Sequence, residues 1–80
     1  MSKVYVFLAE GFEESEAVVP IDLLRRAGVE VVTVSITEET LVPGSHGIPV
    51  TADTTIGQLT EPADAILLPS SLCLWQTVWQ

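Results

Sequence analysis

The stretch KVYVFLAEGFEESEAVVPIDLLRRAGVEVVTVSI, residues 3–36, decides the fold because its hydrophobic pattern changes twice. Residues 3–9 form a continuous apolar run, which is typical of a strand buried on both faces. From residue 14 to residue 27 the pattern becomes helical, and Gly28 follows where helices commonly end. Residues 29–36 predict a second buried strand. This succession has the length of a βαβ unit with two parallel strands.

The chain after residue 36 predicts a hairpin and a third buried strand. Residues 41–53 carry two Gly and two Pro around two short apolar segments, which predicts a hairpin at a sheet edge. Residues 64–69, DAILLP, predict the third strand. We therefore expect an α/β fold with a mainly parallel sheet, and we assign residues 1–69 to one unit, which is either a small domain or a piece of a larger one.

Residues 70–80 differ from the rest of the chain in composition. They contain no charged side chain, and they hold both tryptophans and the only cysteine, Cys73. We treat them as a separate tail. One expectation is that Leu72, Trp75 and Val78 or Trp79 line one helix face and cover exposed core. The other is that the tail is foreign to the domain, as after truncation, altered splicing or a shifted reading frame.

The composition excludes several classes of partner and cofactor. The net charge is −8 with three Lys and Arg in 80 residues, which argues against nucleic acid and against an anionic membrane surface. The single cysteine suits a reducing compartment, so we expect a cytoplasmic protein without a membrane span. No GxGxxG follows the first strand, so no dinucleotide cofactor is expected. A lone His46 with one cysteine is no metal site, and we expect His46 to be an exposed loop residue.

The predicted helix carries more apolar surface than one sheet face needs. Its polar residues, Asp22, Arg25 and Arg26, fall in one narrow sector of the helical wheel. A helix on a sheet needs an apolar stripe of about 100°, and this helix has apolar residues over most of its circumference. We therefore expect helix 14–27 either to be sandwiched in a larger fold or to contact another subunit.

Three glutamates precede this helix, and one of them stands out. Glu13 is expected in the turn, and Glu14 falls at the edge of the polar sector as a first-turn acid that favours the helix dipole. Glu16 instead falls in the middle of the apolar arc, where a carboxyl must be paired, hydrogen-bonded or protonated. It also follows a strand end, where open parallel sheets bind ligands. Glu16 is our candidate catalytic residue.

These residues resemble the ThiJ/PfpI family, to which the parkinsonism-associated protein deglycase and its bacterial relatives belong. The resemblance rests on the G-x-E-E-x-E corner, on the P-x-D-x-x-R-R-A-G that follows it, and on GSHGIPVTAD and ADAILLP downstream. It covers about residues 3–69. It implies a flavodoxin-like, doubly wound α/β sandwich, longer than this chain and usually homodimeric.

The resemblance also implies an activity. Family members act without a cofactor on reactive dicarbonyls or glycation adducts, as glyoxalases or deglycases, and are also described as chaperones. They use a cysteine on a strand-to-helix elbow, and the glutamate that matches Glu16 hydrogen-bonds this cysteine. The chain departs from the family pattern after Pro69. Ser70 and Ser71 stand where the family has two glycines that help form an oxyanion hole, and Cys73 does not match the elbow.

Three interpretations follow. The first is an enzyme of this lineage that carries Glu16 without the nucleophile and is inactive alone. The second is a non-catalytic truncated subunit or interaction piece that pairs through helix 14–27. The third, a flavodoxin-like nucleotide binder, is disfavoured because a Gly-rich phosphate loop is missing.

Overall fold

A strand, a helix and a parallel second strand open the fold, as the hydrophobic pattern predicts. The computed structural model describes residues 3–69. Their elements are β1 (Lys3–Leu8), α1 (Glu14–Arg26), β2 (Glu30–Ser35), β3 (Leu41–Pro43), β4 (Pro49–Thr51), β5 (Thr54–Thr55), a 3-10 turn (Ile56–Gln58) and β6 (Ala65–Leu67). The predicted tail at residues 70–80 lies outside the described residues and stays a prediction.

The main sheet has four parallel strands in the order β5-β2-β1-β6. β1 pairs with β2 along its whole length, from Lys3 opposite Glu30 to Leu8 opposite Ser35. On its other side β1 pairs with β6, the predicted third strand. The short strand β5 was not predicted, because two threonines carry no pattern of their own.

The predicted hairpin forms, but not at an edge of the main sheet. β3 and β4 pair antiparallel with Val42 opposite Val50, and they make a separate two-stranded sheet. The predicted edge position is wrong because this hairpin packs against the turn between β1 and α1. Backbone hydrogen bonds from that turn, described below, take up part of the hairpin's hydrogen-bonding capacity.

Glycines at both ends of α1 allow the chain to turn. Gly11 (φ 86°) lies between β1 and the helix, and Gly28 (φ 87°) follows it. This left-handed backbone is strained for residues that carry a Cβ. The N–H of Gly28 donates to the carbonyl of Arg25 over 3.1 Å, which closes the helix where the sequence predicts its end.

α1 packs on the sheet through one stripe. Ala17 is buried, and Ile21 and Leu24 are partly buried against the core that includes Val6 and Leu8 of β1. These helix positions are four and three residues apart, which is the spacing of one helix face.

A second apolar stripe of α1 faces outward. Val19 is 53% exposed and Leu23 is 59% exposed. The expectation that this helix has more apolar surface than one sheet face uses is thus confirmed for residues 3–69.

The helix has 13 residues, and no helix in the described part of the chain has the length and apolarity needed to cross a membrane.

The sheet face opposite α1 is only partly covered by residues 3–69. Side chains alternate along a strand, so Tyr5 and Phe7 of β1 point away from the face that carries Val6. Phe7 is only partly buried, and Ile66 of the neighbouring strand is 50% exposed. Parallel sheets are normally covered on both faces, so this surface is suited to contact with further protein.

Candidate functional site

The candidate site is the corner where β1 turns into α1, and the hairpin holds this corner. The N–H of Gly11 donates to the carbonyl of Pro43, and the N–H of Ser45 donates to the carbonyl of Phe12, each over 2.9 Å. Phe12 also forms a parallel bridge with Gly44 and is 2% exposed. The hairpin is therefore attached to the backbone of this corner rather than only packed beside it.

Glu14 fastens the hairpin to the first turn of α1. Its Oε2 accepts from the backbone N–H of His46 over 2.7 Å and from that of Ile48 over 3.2 Å. Its Oε1 accepts from Ser45 Oγ over 3.4 Å and lies 3.1 Å from His46 Nδ1. The residue is only 7% exposed. We call this set of contacts between Glu14 and residues 45–48 the Glu14 clamp.

Glu14 does lie in the first turn of α1, as predicted, but the interpretation that it only favours the helix dipole omits its main contacts. Its carboxylate is directed to a segment more than 30 residues away. A helical wheel considers only the helix, so it cannot detect a hairpin that covers the helix start. No local sequence signal pairs Glu14 with His46.

The hydrogen bonds of the clamp set the pKa of its two titratable groups. Burial alone would raise the pKa of Glu14, but hydrogen bonds from its own N–H, from the N–H and ring of His46 and from the N–H of Ile48 outweigh burial and lower this pKa to about 2. The hydrogen bond to Glu14, followed by the charges of Glu13 and Glu14, raises the pKa of His46 above its ordinary value. Both shifts favour a charged carboxylate and a protonated imidazole in contact.

A glycine makes room for the Glu14 carboxylate. A Cβ on Gly44 would stand 2.5 Å from Cδ and 2.7 Å from Cγ of Glu14. Ordinary contacts between carbon atoms are about 3.5–4.0 Å. The side chain of Glu14 can therefore reach His46 and Ile48 because position 44 has no side chain.

His46 is an exposed loop residue, as predicted, but it is not isolated. Its Nδ1 lies 3.8 Å from Glu13 Oε1 as well as 3.1 Å from Glu14 Oε1. One ligand atom from each of these three residues lies within 4.8 Å of the others, so they could hold a divalent cation. No sequence pattern predicts this group, because Glu13 and Glu14 lie more than 30 residues from His46. However, both Glu14 oxygens already accept hydrogen bonds, and the positive end of a helix dipole disfavours a cation. The contact between Glu14 and His46 belongs to the clamp, and Glu13 lies beside it.

Glu16 is exposed, so the expectation that it faces a buried surface is wrong for residues 3–69. The sheet uses the stripe through Ala17, Ile21 and Leu24, whereas Glu16 lies on the outward stripe. There it borders a shallow surface depression together with Ser15, Val19 and Pro20. Its side chain makes no hydrogen bond or ion pair with any other described residue. The wheel was right that Glu16 belongs to an apolar stripe, and wrong that the sheet covers this stripe.

A separate cavity of about 230 Å³ lies at the carboxyl ends of the strands. Its lining residues are Phe7, Ala9, Glu10, Gly11, Phe12, Ile36, Leu68 and Pro69. The position agrees with the rule for ligand sites in open parallel sheets. Glu16 is not among the lining residues. The corner thus has two distinct surfaces, the cavity at the strand ends and the outward stripe of α1.

Comparison with known proteins decides the lineage. The family model described as "DJ-1/PfpI family" matches residues 2–70. The chain belongs to the DJ-1/PfpI family. The ThiJ/PfpI resemblance is thereby confirmed.

Relatives of known sequence are longer than this chain. Protein DJ-1 homolog B of Arabidopsis thaliana is 42% identical over 71 residues, which cover 88% of this chain and 16% of the relative. Protein/nucleic acid deglycase 2 of Escherichia coli (strain K12) is 41% identical over 70 residues, which cover 84% of this chain and 40% of the relative. The chain therefore spans less than half the length of these relatives.

Solved structures confirm the fold. A cysteine-to-alanine mutant of a DJ-1 superfamily protein from Salmonella typhimurium matches with a TM-score of 0.85 at 44% identity. The matched region covers 88% of this chain and 38% of the Salmonella chain. Oxidized DJ-1 of Toxoplasma gondii has a TM-score of 0.84 at 44% identity, covering 88% of this chain and 39% of its own. The predicted flavodoxin-like α/β class is confirmed, with this chain providing part of the fold.

Proposed function

We propose that this chain supplies the glutamate half of a Cys–Glu pair in a cofactor-independent domain that acts on reactive dicarbonyls or glycation adducts. Membership of the DJ-1/PfpI family supports this proposal, as does the relative from Escherichia coli that is named a deglycase. Within the G-x-E-E-x-E corner, Glu16 is the acid that matches the family's functional glutamate. A cytoplasmic location belongs to the same proposal.

The observation that carries the proposal is the outward position of Glu16. Glu14 is buried in the clamp, whereas Glu16 stands beside exposed Val19 and near exposed Leu23. The exposed apolar stripe around this carboxyl favours contact with further protein. Such contact would remove water from the stripe and from the carboxyl. The rest of a family domain, of which this chain spans 38% to 39% in the two structures compared, is the natural source of that protein.

The proposed chemistry needs a thiol close to Glu16. The thiolate of a cysteine is its nucleophilic form. In the resting pair the cysteine S–H proton has passed to the Glu16 carboxylate, whose O–H then donates a hydrogen bond to the thiolate. In the first step the sulfur attacks the aldehyde carbon. The carbonyl electron pair moves to oxygen, and Glu16 returns the proton to that oxygen, which gives a hemithioacetal. Glu16 is thus general base and then general acid. Because Cys73 does not match the elbow cysteine, we propose that the 80 residues alone are inactive.

A chimera tests this function. Residues 1–69 would be joined to the remaining part of the Escherichia coli relative, and lactate formation from methylglyoxal would be measured. We expect activity in the chimera, none in the 80-residue chain, and a loss of about ten- to a hundredfold with Glu16→Ala. Full activity of the Glu16→Ala chimera would contradict the proposal, and so would turnover by the 80-residue chain.

A second candidate function is a non-catalytic interaction piece that pairs through helix 14–27, including pairing with a second copy. The exposure of Val19 and Leu23, at 53% and 59%, favours it. The two candidates differ in their need for an acid, because only the enzyme requires Glu16. If the unmodified chimera forms no lactate while helix substitutions abolish assembly, the interaction function is the correct one.

A further inference from the structure

We propose that Glu14 is a positioning residue, whose carboxylate fixes the first turn of α1 to the hairpin and thereby holds Glu16 in place for the reacting thiol. This inference rests on the function proposed above. It assigns a role to the buried acid of the corner, which does not itself contact the reacting atoms in that function.

The start of α1 needs an anchor. Glu13 occupies the N-cap position and makes no side-chain capping hydrogen bond. Four N–H groups at a helix start lack partners within the helix, and uncapped ends fray. Here the Glu14 carboxylate connects the first turn to the backbone N–H groups of His46 and Ile48. The hairpin is in turn bonded to the corner through Gly11 and Phe12.

Glu16 depends on this anchor because its own side chain has no partner among the described residues, and Ala17 is the neighbouring residue that packs in the core. Glu16 lies two residues after Glu14 in the same helical turn, is exposed, and has no side-chain partner within residues 3–69. The position of its carboxyl is therefore set by the backbone of the first turn. A misplacement of about 1 Å in a reacting group can reduce the rate by about a hundredfold, so an anchored first turn matters for a catalytic acid.

The structure offers two independent ways to release the clamp. Glu14→Ala removes the carboxylate. Gly44→Ala keeps the carboxylate but places a Cβ 2.7 Å from Glu14 Cγ, which forces the side chain to move. Glu13→Ala is the matched control, since it removes the adjacent acid, whose carboxylate lies 3.8 Å from His46 Nδ1 and accepts no hydrogen bond from the hairpin backbone.

The test is a nuclear magnetic resonance measurement of backbone order parameters in the full 80-residue chain. We expect the Glu16 amide to have an order parameter of about 0.85 in the wild type and in Glu13→Ala, falling below about 0.6 in Glu14→Ala and Gly44→Ala. The Leu24 amide, in the last turns of α1, should keep its wild-type value. An unchanged Glu16 value in the released variants would overturn the proposal. An equal fall at Leu24 would also overturn it, because that result indicates general loosening.

Turnover separates this inference from the function on which it rests. In the chimera, Glu14→Ala should lower kcat by about ten- to a hundredfold with KM unchanged. If neither Glu14→Ala nor Glu16→Ala lowers kcat in the chimera, the proposed function fails. If Glu16→Ala lowers kcat and Glu14→Ala does not, only the positioning role is overturned. Gly44→Ala provides the same comparison with the carboxylate present, should Glu14→Ala not fold.

Discussion

Replacing Gly44 with alanine should destabilise the chain through one defined contact. The added Cβ would stand 2.5 Å from Cδ and 2.7 Å from Cγ of Glu14, roughly 1 Å closer than ordinary carbon contacts. Gly44 is not among the glycines with positive φ, so its backbone accepts alanine. Overpacking of this size costs about 1–3 kcal/mol. We expect the free energy of unfolding to fall by that amount.

Urea denaturation followed by circular dichroism measures this change, and another glycine provides the control. A Cβ on Gly57 would meet nothing within 4 Å, and its φ is not positive. Gly57→Ala should therefore leave stability unchanged or raise it by up to about 1 kcal/mol. Equal stabilities for Gly44→Ala and Gly57→Ala would refute the clamp geometry.

A double substitution assigns the cost to its partner. In a Glu14→Ala background the obstacle to the Cβ at position 44 is gone, so the added cost of Gly44→Ala should become small. Substitutions in direct contact are non-additive in this way. Additive costs would show that the alanine clashes with something other than Glu14.

Three further predictions concern the pH dependence from Glu14, the pH dependence from His46, and surface exposure. The clamp lowers the pKa of Glu14 from 4.5 to about 2. The stability that the clamp contributes is therefore complete above pH 4.5 and is lost as the pH falls towards 2. Urea denaturation in the presence of EDTA should show this loss of unfolding free energy in the wild type and a smaller loss in Glu14→Gln. The pKa of His46 is raised instead, so its pH dependence runs in the opposite direction. The stability that protonated His46 contributes is present below pH 6.5 and disappears as the pH rises above its folded pKa. His46→Ala should remove this dependence. Because Val19 and Leu23 are exposed, the wild type should self-associate at micromolar concentration in sedimentation velocity. Leu23→Glu should reduce this association. A monomeric wild type would contradict the prediction.

The sequence predicts the βαβ core well because its information is local. The apolar run of β1, the helical pattern of α1 and the glycine after it each lie within a few residues of the element they define. The hairpin at residues 41–53 was also found from its glycines and prolines. The sequence does not predict where the hairpin packs, because that depends on hydrogen bonds between residues far apart in the chain: the N–H of Gly11 donates to the carbonyl of Pro43, and the N–H of Ser45 donates to the carbonyl of Phe12.

For the same reason, the burial predicted for Glu14 and Glu16 is the reverse of the burial in the structure. A helical wheel ranks Glu16 as inward and Glu14 as peripheral, since it assumes that the wider apolar arc faces the sheet. The sheet covers only the stripe through Ala17 and Leu24, and the hairpin covers Glu14. The role proposed for Glu16 rests on the resemblance of its motif to that of the family, so this proposal does not depend on the wheel.

The thiol pKa of the reacting cysteine in the chimera tests the central claim most directly. A hydrogen bond to a charged group contributes about 1.5–3 kcal/mol, and one pKa unit corresponds to about 1.4 kcal/mol. Thiolate absorbance across a pH series would give this pKa for the unmodified chimera, Glu16→Ala and Glu13→Ala. If Glu16 stabilises the thiolate, Glu16→Ala should raise the thiol pKa by about 1–2, and Glu13→Ala should leave it unchanged. Equal thiol pKa values in the two variants would contradict the claim that Glu16 is the functional acid of this corner.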